Sequence, residues 1–232
     1  MKTLVKRLLQ SAGWELRRAS QPRERAPTLL APPLAFESIP GWFSRAEACL
    51  LYVLAYLSQG RVLEVGHFLG RSTSAICEGI RASGRRIEFE SYDLGFKNSR
   101  DFIAYYSKLY GTTSFPVPPE YEHLVYSKGL TTTEIAGHHL ARFGLAGMVH
   151  LISGDFSEDR TSYDLIFADI MHDPTEIARN LPLVTERSSA HCTWAFHDMT
   201  DENIRCVLAS SPAVLIARAD SLAVFDYNRS KE

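Results

Sequence analysis

Short apolar stretches alternate with helix-like stretches along most of the chain, from Arg61 onward. Runs such as 62–65 and 163–168 are typical of buried strands, and the longer stretches between such runs begin with capping residues. This alternation indicates βαβ units and a mainly parallel sheet. Two further strands are predicted at 214–217 and 222–225. The few residues between them are too short for a parallel crossover, so we expect these two strands to pair antiparallel.

The N-terminal segment has a different composition. Residues 1–18 carry apolar side chains at helical spacing and basic side chains elsewhere around the helix, which predicts a basic amphipathic helix. Such a helix either contacts a membrane surface or packs on its own domain or on a second subunit of a homo-oligomer. Residues 21–40 contain five prolines and are expected to form a surface arm outside the core. One α/β domain is therefore predicted over 41–232.

Composition excludes several classes of protein. The formal net charge of -2 argues against a nucleic-acid-binding protein held mainly by phosphate contacts. The four cysteines form no C-x-x-C pair, which fits neither a zinc cluster nor a dense disulfide framework and favours a reducing cytoplasm. No apolar run approaches the ~20 residues of a membrane-spanning helix, so any membrane contact is expected to be peripheral.

The sharpest motif follows the first predicted strand. Glu64 lies at the end of this strand, Gly66 and Gly70 follow four residues apart, and Ser72 begins a helix. Glycines allow a tight turn and a close approach of the backbone to a ligand, while the helix N-terminus offers free N–H donors. This arrangement predicts a ligand-binding turn.

These residues resemble those of the class I S-adenosylmethionine-dependent methyltransferases. The resemblance starts at the GWFS sequence of 41–44 and includes an E-x-G-x-x-x-G-x-S-T pattern at 64–73. An F-x-D pattern at 167–169 and an F-H-D pattern at 196–198 complete it. In all it covers about 41–226 and resembles the group called methyltransferase domain 24. It implies a Rossmann-like, seven-stranded, mainly parallel sheet with an antiparallel last strand and helices on both faces.

The resemblance also implies S-adenosylmethionine as the cofactor. Gly66 and Gly70 are expected to line its methionine portion, and Glu64 to bind its ammonium group or a nearby water. Asp93, at the end of the second strand, is expected to accept hydrogen bonds from the ribose hydroxyls. Asp155 is expected to accept one from the adenine amino group. The full set of predicted cofactor-binding residues is Glu64, Gly66, Phe68, Gly70, Ser72, Asp93, Asp155 and Phe156.

An Asp/His cluster is predicted beside the methyl donor, since carboxyl ends of adjacent parallel strands converge on one crevice. Two interpretations stay open. Asp169, His197 and Asp198 are candidate ligands of a divalent metal such as Mg²⁺, which would orient an acceptor hydroxyl. Alternatively, His172 or His197 acts as a general base, with Asp169 as the third candidate catalytic residue. Related sequences often have an aspartate where this chain has Met171, a departure that weakens the metal interpretation.

Residues 97–130 form an aromatic-rich insertion, which is either a lid over the acceptor site or a packed cap without ligand contact. The expected activity is O-methylation of a small-molecule or sugar hydroxyl, with a small-molecule or glycan acceptor and no nucleic-acid partner. A non-catalytic S-adenosylmethionine-binding or scaffold protein is the first alternative. An NAD-dependent dehydrogenase is the second, although the turn lacks the second glycine of G-x-G-x-x-G.

Overall fold

A seven-stranded sheet forms the centre of the fold in the computed structural model, which describes residues 34–158 and 161–229. The strands are β1 Val62–Val65, β2 Phe89–Asp93, β3 His150–Ser153, β4 Tyr163–Ala168, β5 Ser188–Phe196, β6 Val214–Ala219 and β7 Leu222–Asn228. The α-helices are α1 Arg45–Leu57, α2 Arg71–Ser83, α3 Ser99–Tyr110, α4 Pro119–Leu124, α5 Thr132–Arg142, α6 Pro174–Arg187 and α7 Asp201–Ala209. Short 3-10 helices occupy Ala35–Ser38, Tyr126–Lys128, Ala146–Met148 and Phe156–Glu158.

The strand order is β3-β2-β1-β4-β5-β7-β6. Neighbouring strands from β3 to β5 are parallel, and β7 pairs antiparallel with both β5 and β6. This confirms the predicted fold class, including the antiparallel last strand. The chain leaves β1 toward β2 on one side and later returns to β4 on the other, so β1 and β4 flank the switch point at which open α/β sheets bind ligands.

The capping residues that the sequence contains explain where the helices begin. Ser44 and Glu47 form a capping box at α1, and Thr131 and Glu134 form a second one at α5. The Asp173 side chain accepts hydrogen bonds from two backbone N–H groups at the start of α6. Each cap satisfies donors that have no partner within the helix, which fixes the point at which a helix starts above the sheet.

Two apolar layers cover the two faces of the sheet. One contains residues of α1, α2 and α5 packed on side chains such as Val62 and Phe167. The other contains residues of α6 and α7 packed on side chains such as Leu63 and Ile166. Alternating strand residues therefore face opposite layers, as expected for strands buried on both sides. Within the described ranges, no helix is both long and apolar enough to cross a membrane.

The end of the proline-rich segment belongs to the core, contrary to expectation. Phe36 and Ile39 are each 1 % exposed. Arg71 fixes this segment by donating hydrogen bonds to the carbonyl oxygens of Ile39 and Phe43, at 2.6 and 2.8 Å. Its guanidinium also lies over the Phe36 ring. The domain therefore includes residues before 41, and the predicted helix over 1–18 lies outside the described residues.

Candidate active site

The loops that follow β1, β2, β3, β4 and β5 surround one cavity of about 640 Å³. Backbone hydrogen bonds continue the sheet pairing into these loops, for example from the Gly66 N–H to the Tyr92 carbonyl and from the Asp169 N–H to the Val65 carbonyl. The loop positions that bear functional side chains are thereby held at one edge of the sheet. A volume of this size is typical of small-molecule sites.

Gly66 gives the cavity a backbone wall that only glycine can form without strain. Its φ angle is +91°, and a Cβ atom built there would lie 3.0 Å from the carbonyl oxygen of Asp169. Phe68 also has a positive φ angle, of 45°, and its N–H donates to Oδ2 of Asp93 at 2.9 Å. The glycine turn after β1 is thus tied to the carboxylate at the end of β2, and Gly66, Phe68 and Asp93 all line the cavity.

Two residues predicted to contact the cofactor, Glu64 and Gly70, do not line the cavity. Glu64 is fully buried and accepts hydrogen bonds from the hydroxyls of Ser72, Thr73 and Ser91, at 2.6 to 2.7 Å. Burial raises the pKa of Glu64 to about 7, against the opposing effect of these hydroxyls. Gly70 has a φ angle of +89° and packs against Ala136, so its role is to begin α2. The turn motif correctly located both residues, but it carries no information about the direction in which they face.

The other predicted cofactor-binding residues lie on the cavity wall. Ser72 is buried on the cavity side of α2, and its hydroxyl donates a hydrogen bond to Glu64. Asp155 lines the cavity and accepts a hydrogen bond from the Ser157 N–H, and Phe156 is 5 % exposed. The cavity therefore extends from the β1 turn to the loop after β3.

The Asp/His cluster lies in the same cavity. Two histidine rings contact the Asp169 carboxylate. Nδ1 of His197 lies 3.0 Å from its Oδ1 atom, and Nε2 of His172 lies 3.3 Å from the same atom. Nε2 of His172 is also 3.9 Å from Oδ2 of Asp198. Met171, which replaces the aspartate of related sequences, is buried in the apolar layer under α6 and does not line the cavity. This substitution therefore removes no carboxylate from the cluster.

Two glutamates that the sequence suggested only as helix caps complete the cluster. Nδ1 of His172 lies 2.6 Å from Oε2 of Glu176, and Nε2 of His197 lies 3.5 Å from Oε2 of Glu47. Both glutamates are nearly inaccessible to solvent, with 4 % and 2 % exposure. Each histidine therefore has a carboxylate on both of its ring nitrogens. The available sequence signal was the position of each glutamate in the first turn of a capped helix. Because that position already explains a glutamate, the sequence offered no reason to expect its contact with a histidine.

The surrounding carboxylates determine the charge of the histidines. Burial disfavours a charged ring, but the adjacent carboxylates of Asp169 and Glu47 outweigh it and raise the pKa of His197 to about 10. The same balance with Asp169 and Glu176 holds the pKa of His172 well above its usual range. Burial raises the pKa of Glu47. The His197 ring and the hydrogen bonds from Ser44 and Ser221 outweigh this effect and lower the pKa to about 2. The surrounding carboxylates therefore favour the imidazolium form of both rings.

We expect the His197 ring to stay protonated through the neutral range. In the unfolded chain a histidine titrates near pH ~6.5. Since the folded pKa is higher, the ion pairs of His197 stabilise the fold fully below that pH and lose this contribution as the pH rises through about 10. Nitrogen NMR of the metal-free protein, assigned with H197Q, should show no titration of this ring between about pH 6 and 8.

The free energy of unfolding provides the control for this linkage. The destabilisation caused by H197Q should be larger near pH ~7 than near pH ~10.5, because the wild-type ring is neutral at the higher value. A ring that titrates near pH ~6.5 in the folded protein would contradict the arrangement of carboxylates described above.

Asp169, His172 and Asp198 each offer one ligand atom, and these atoms lie within 4.8 Å of one another. Two carboxylate oxygens and one imidazole nitrogen suit a divalent first-row transition ion better than Mg²⁺, which prefers oxygen. Glu176 would orient the His172 ring for such a role, as carboxylates beside metal-bound histidines commonly do. The metal ligands predicted from the sequence were Asp169, His197 and Asp198. That set, which has His197 in place of His172, stays a prediction. The geometry favours His172, whose Nε2 faces both aspartates.

The aromatic insertion forms a wall of the cavity beside α6. Its helix α3 places Tyr105, Tyr106 and Tyr110 on the cavity, and Phe115 stacks on the last two rings at 5.1 Å. The Tyr110 hydroxyl donates to Oδ2 of Asp173, the residue that caps α6, at 2.8 Å. The insertion therefore lines the cavity and is joined to the helix that bears Glu176.

Comparison with known proteins agrees with this architecture. Residues 63–199 match the family model described as a methyltransferase domain. Three similar solved structures are an S-adenosylmethionine-dependent O-methyltransferase from Thermotoga maritima, the cofactor-bound Rv0187 from MTB and a methyltransferase from Geobacter sulfurreducens. Their sequence identities to this chain are 13 %, 16 % and 15 %, with TM-scores of 0.50, 0.52 and 0.51. At such identities the likeness shows the fold.

The alignments cover 78 %, 83 % and 79 % of this chain, and 64 %, 85 % and 80 % of the respective structures. The chain thus spans 64 % of the Thermotoga maritima protein. No curated protein matches it. The family match covers more than half of the chain, runs from β1 to the loop after β5 and includes both the glycine turn and the Asp/His cluster. This chain is therefore an enzyme that belongs to the methyltransferase domain family, which confirms the resemblance found in its sequence.

Proposed function

We propose that this enzyme transfers the methyl group of S-adenosylmethionine to a hydroxyl of a small-molecule or sugar acceptor. The observation that supports this most is the continuity of one cavity from the glycine turn and Asp93 to the Asp/His cluster. Methyl transfer requires a donor and an acceptor to be held side by side, and proximity supplies much of the rate. Chemistry at a hydroxyl fits a cluster rich in carboxylates, because one proton must be removed.

The wall of the cavity fits the cofactor. Gly66 lines the cavity without a side chain, so in this proposal the methionine portion lies against its backbone. In this proposal Asp93 accepts hydrogen bonds from the ribose hydroxyls, and Asp155 with Phe156 surrounds the adenine ring. Phe68 and Ser72 border the same space. When bound, S-adenosylmethionine supplies an electrophilic methyl group on a sulfonium centre.

Asp169 is the residue that handles the acceptor in this proposal. Its carboxylate would accept a hydrogen bond from the acceptor hydroxyl, hold it in line with the methyl group and receive its proton as the methyl group leaves the sulfur. Against the effect of burial, the two histidines lower the pKa of Asp169, so orienting the hydroxyl is the larger part of this role. His172 and His197 already carry protons on both ring nitrogens when they face carboxylates on both sides, so they orient Asp169 and stabilise its negative charge. This assigns the base to the aspartate, whereas the sequence suggested a histidine.

A divalent ion is the second candidate for activating the hydroxyl. Asp169, His172 and Asp198 would hold it, and it would lower the pKa of a hydroxyl bound beside it. Because the two schemes differ in their need for a metal, adding a chelator separates them. The cytoplasmic location remains a prediction, supported by four free cysteines.

The test combines binding with turnover. Calorimetry should show binding of S-adenosylhomocysteine and none of NAD. Release of S-adenosylhomocysteine from S-adenosylmethionine should then be screened against nucleotide sugars, glycolipid precursors and phenols, with and without a divalent metal and with a chelator. Turnover with one hydroxyl acceptor and loss of it when that hydroxyl is replaced by hydrogen is the expected result. NAD binding without S-adenosylhomocysteine binding would overturn the proposal.

A further inference from the structure

Glu47 has contacts that its position in a capping box does not require. Its carboxylate accepts the Ser44 N–H at 2.7 Å, as any capping-box glutamate does. It also accepts the N–H and the hydroxyl of Ser221, in the turn between β6 and β7, at 2.9 and 2.7 Å. The equivalent Glu134 at α5 is exposed, and its carboxylate accepts hydrogen bonds from the N–H and the hydroxyl of Thr131. Burying a carboxylate on α1 costs free energy unless the charge is paired, so a partner is expected beside Glu47.

That neighbour is His197, which is 3 % exposed. One ring nitrogen lies 3.5 Å from Glu47, and the other lies 3.0 Å from Asp169. The Phe43 ring packs against the imidazole, with centroids 5.1 Å apart. The imidazole is thus held between two carboxylates and covered on one side by an aromatic ring. A flip of the ring or its rotation away from Asp169 would separate a buried charged donor from a buried acceptor, which is unfavourable.

We propose that Glu47 is a positioning residue of this enzyme: it holds the His197 ring so that Nδ1 donates to Asp169 and fixes the direction of that carboxylate. Glu47 does not line the cavity, so it acts through His197 and touches neither donor nor acceptor. This inference rests on the proposed role of Asp169. It adds a residue of helix α1 to a cluster whose other members lie in the loops after β4 and β5 and on α6.

The two substitutions E47Q and E134Q form a matched pair. Each changes the glutamate of a capping box to its neutral isostere, but only Glu47 contacts His197. E47Q should lower kcat by about tenfold, in line with other partners that orient a functional side chain, and leave the KM for S-adenosylmethionine within about twofold. E134Q should retain wild-type kcat. Turnover is measured with the acceptor that gives the fastest S-adenosylhomocysteine release in the screen described above.

A double-mutant cycle separates positioning from a purely structural effect. If Glu47 acts through His197, the double variant E47Q/H197Q should lose no more kcat than H197Q alone. Multiplicative losses in the cycle would overturn the proposal, as would an E47Q variant with the kcat of E134Q. A wild-type protein that neither binds S-adenosylhomocysteine nor releases it would instead refute the proposed function, so the two failures are distinguishable.

A measurement on the wild-type protein covers the case in which E47Q does not fold. Both ring N–H groups of His197 should give downfield proton resonances in slow exchange with water, because Nδ1 is hydrogen-bonded to Asp169 and Nε2 lies 3.5 Å from the Glu47 carboxylate in a buried site. A rapidly exchanging Nε2 proton would show that Glu47 does not hold the ring and would overturn the inference.

Discussion

Replacing Asp169 by asparagine should lower kcat by about 10³-fold while leaving the affinity for S-adenosylhomocysteine within a few-fold of wild type. The side chain lies where the His172 and His197 rings converge, with ring nitrogens 3.3 and 3.0 Å from one oxygen. An amide cannot take a proton from the acceptor, and its NH₂ group would face one of these donors if it turned. Rates of S-adenosylhomocysteine release and calorimetric titrations measure the two quantities separately.

Asp164 provides the control for this substitution. It lies near the start of β4, the strand that Asp169 follows, is exposed, and accepts hydrogen bonds from the Arg61 N–H and the Ser189 hydroxyl outside the cavity. D164N should therefore keep wild-type kcat. If D169N retained more than about a tenth of wild-type turnover, neither proton transfer to Asp169 nor metal binding by it could be an important part of the reaction.

The sequence predicted the sheet well because its signals were local. The predicted strand 163–168 has the bounds of β4, and the cap at Asp173 marks the start of α6. The short link between 217 and 222 correctly predicted the antiparallel pair at the end of the chain. Proline content misled at 34–40, since it reports the absence of regular helix but not the burial of Phe36 and Ile39.

The site was predicted less completely because orientation and distant partners are not local properties. The pattern at 64–73 located the turn but could not show that Glu64 faces three hydroxyls in the interior. Glu47 and Ser221 are 174 positions apart in the chain, and nothing near Glu47 in sequence hints at this contact. Its capping role offered a sufficient local explanation. The charge of both histidines, which decides whether they can act as bases, depends on these unpredicted carboxylates.

Asp93 should control cofactor affinity rather than the chemical step. Its Oδ2 atom accepts the Phe68 N–H, and its Oδ1 atom accepts the Gly95 N–H and the Thr132 hydroxyl, at 2.9, 2.9 and 2.6 Å. In D93N the NH₂ group would face either the Phe68 N–H or the Gly95 N–H, placing two donors against each other whichever way the amide turns. The Phe68 backbone, held at a positive φ angle, would lose its fixed position beside Gly66.

D93N should therefore raise the dissociation constant for S-adenosylhomocysteine by at least about 100-fold, since charge-assisted hydrogen bonds to the backbone and to the ribose are lost together. At saturating S-adenosylmethionine its kcat should fall far less, because in the proposed arrangement Asp93 contacts the ribose and not the acceptor. D201N is the control, since Asp201 is exposed on α7 and pairs with Arg218 outside the cavity. If D93N binds as tightly as D201N, the turn after β1 does not need this carboxylate and the ribose lies elsewhere. A fall in kcat with unchanged affinity would place Asp93 in the chemistry instead, because only an interaction specific to the transition state gives that pattern.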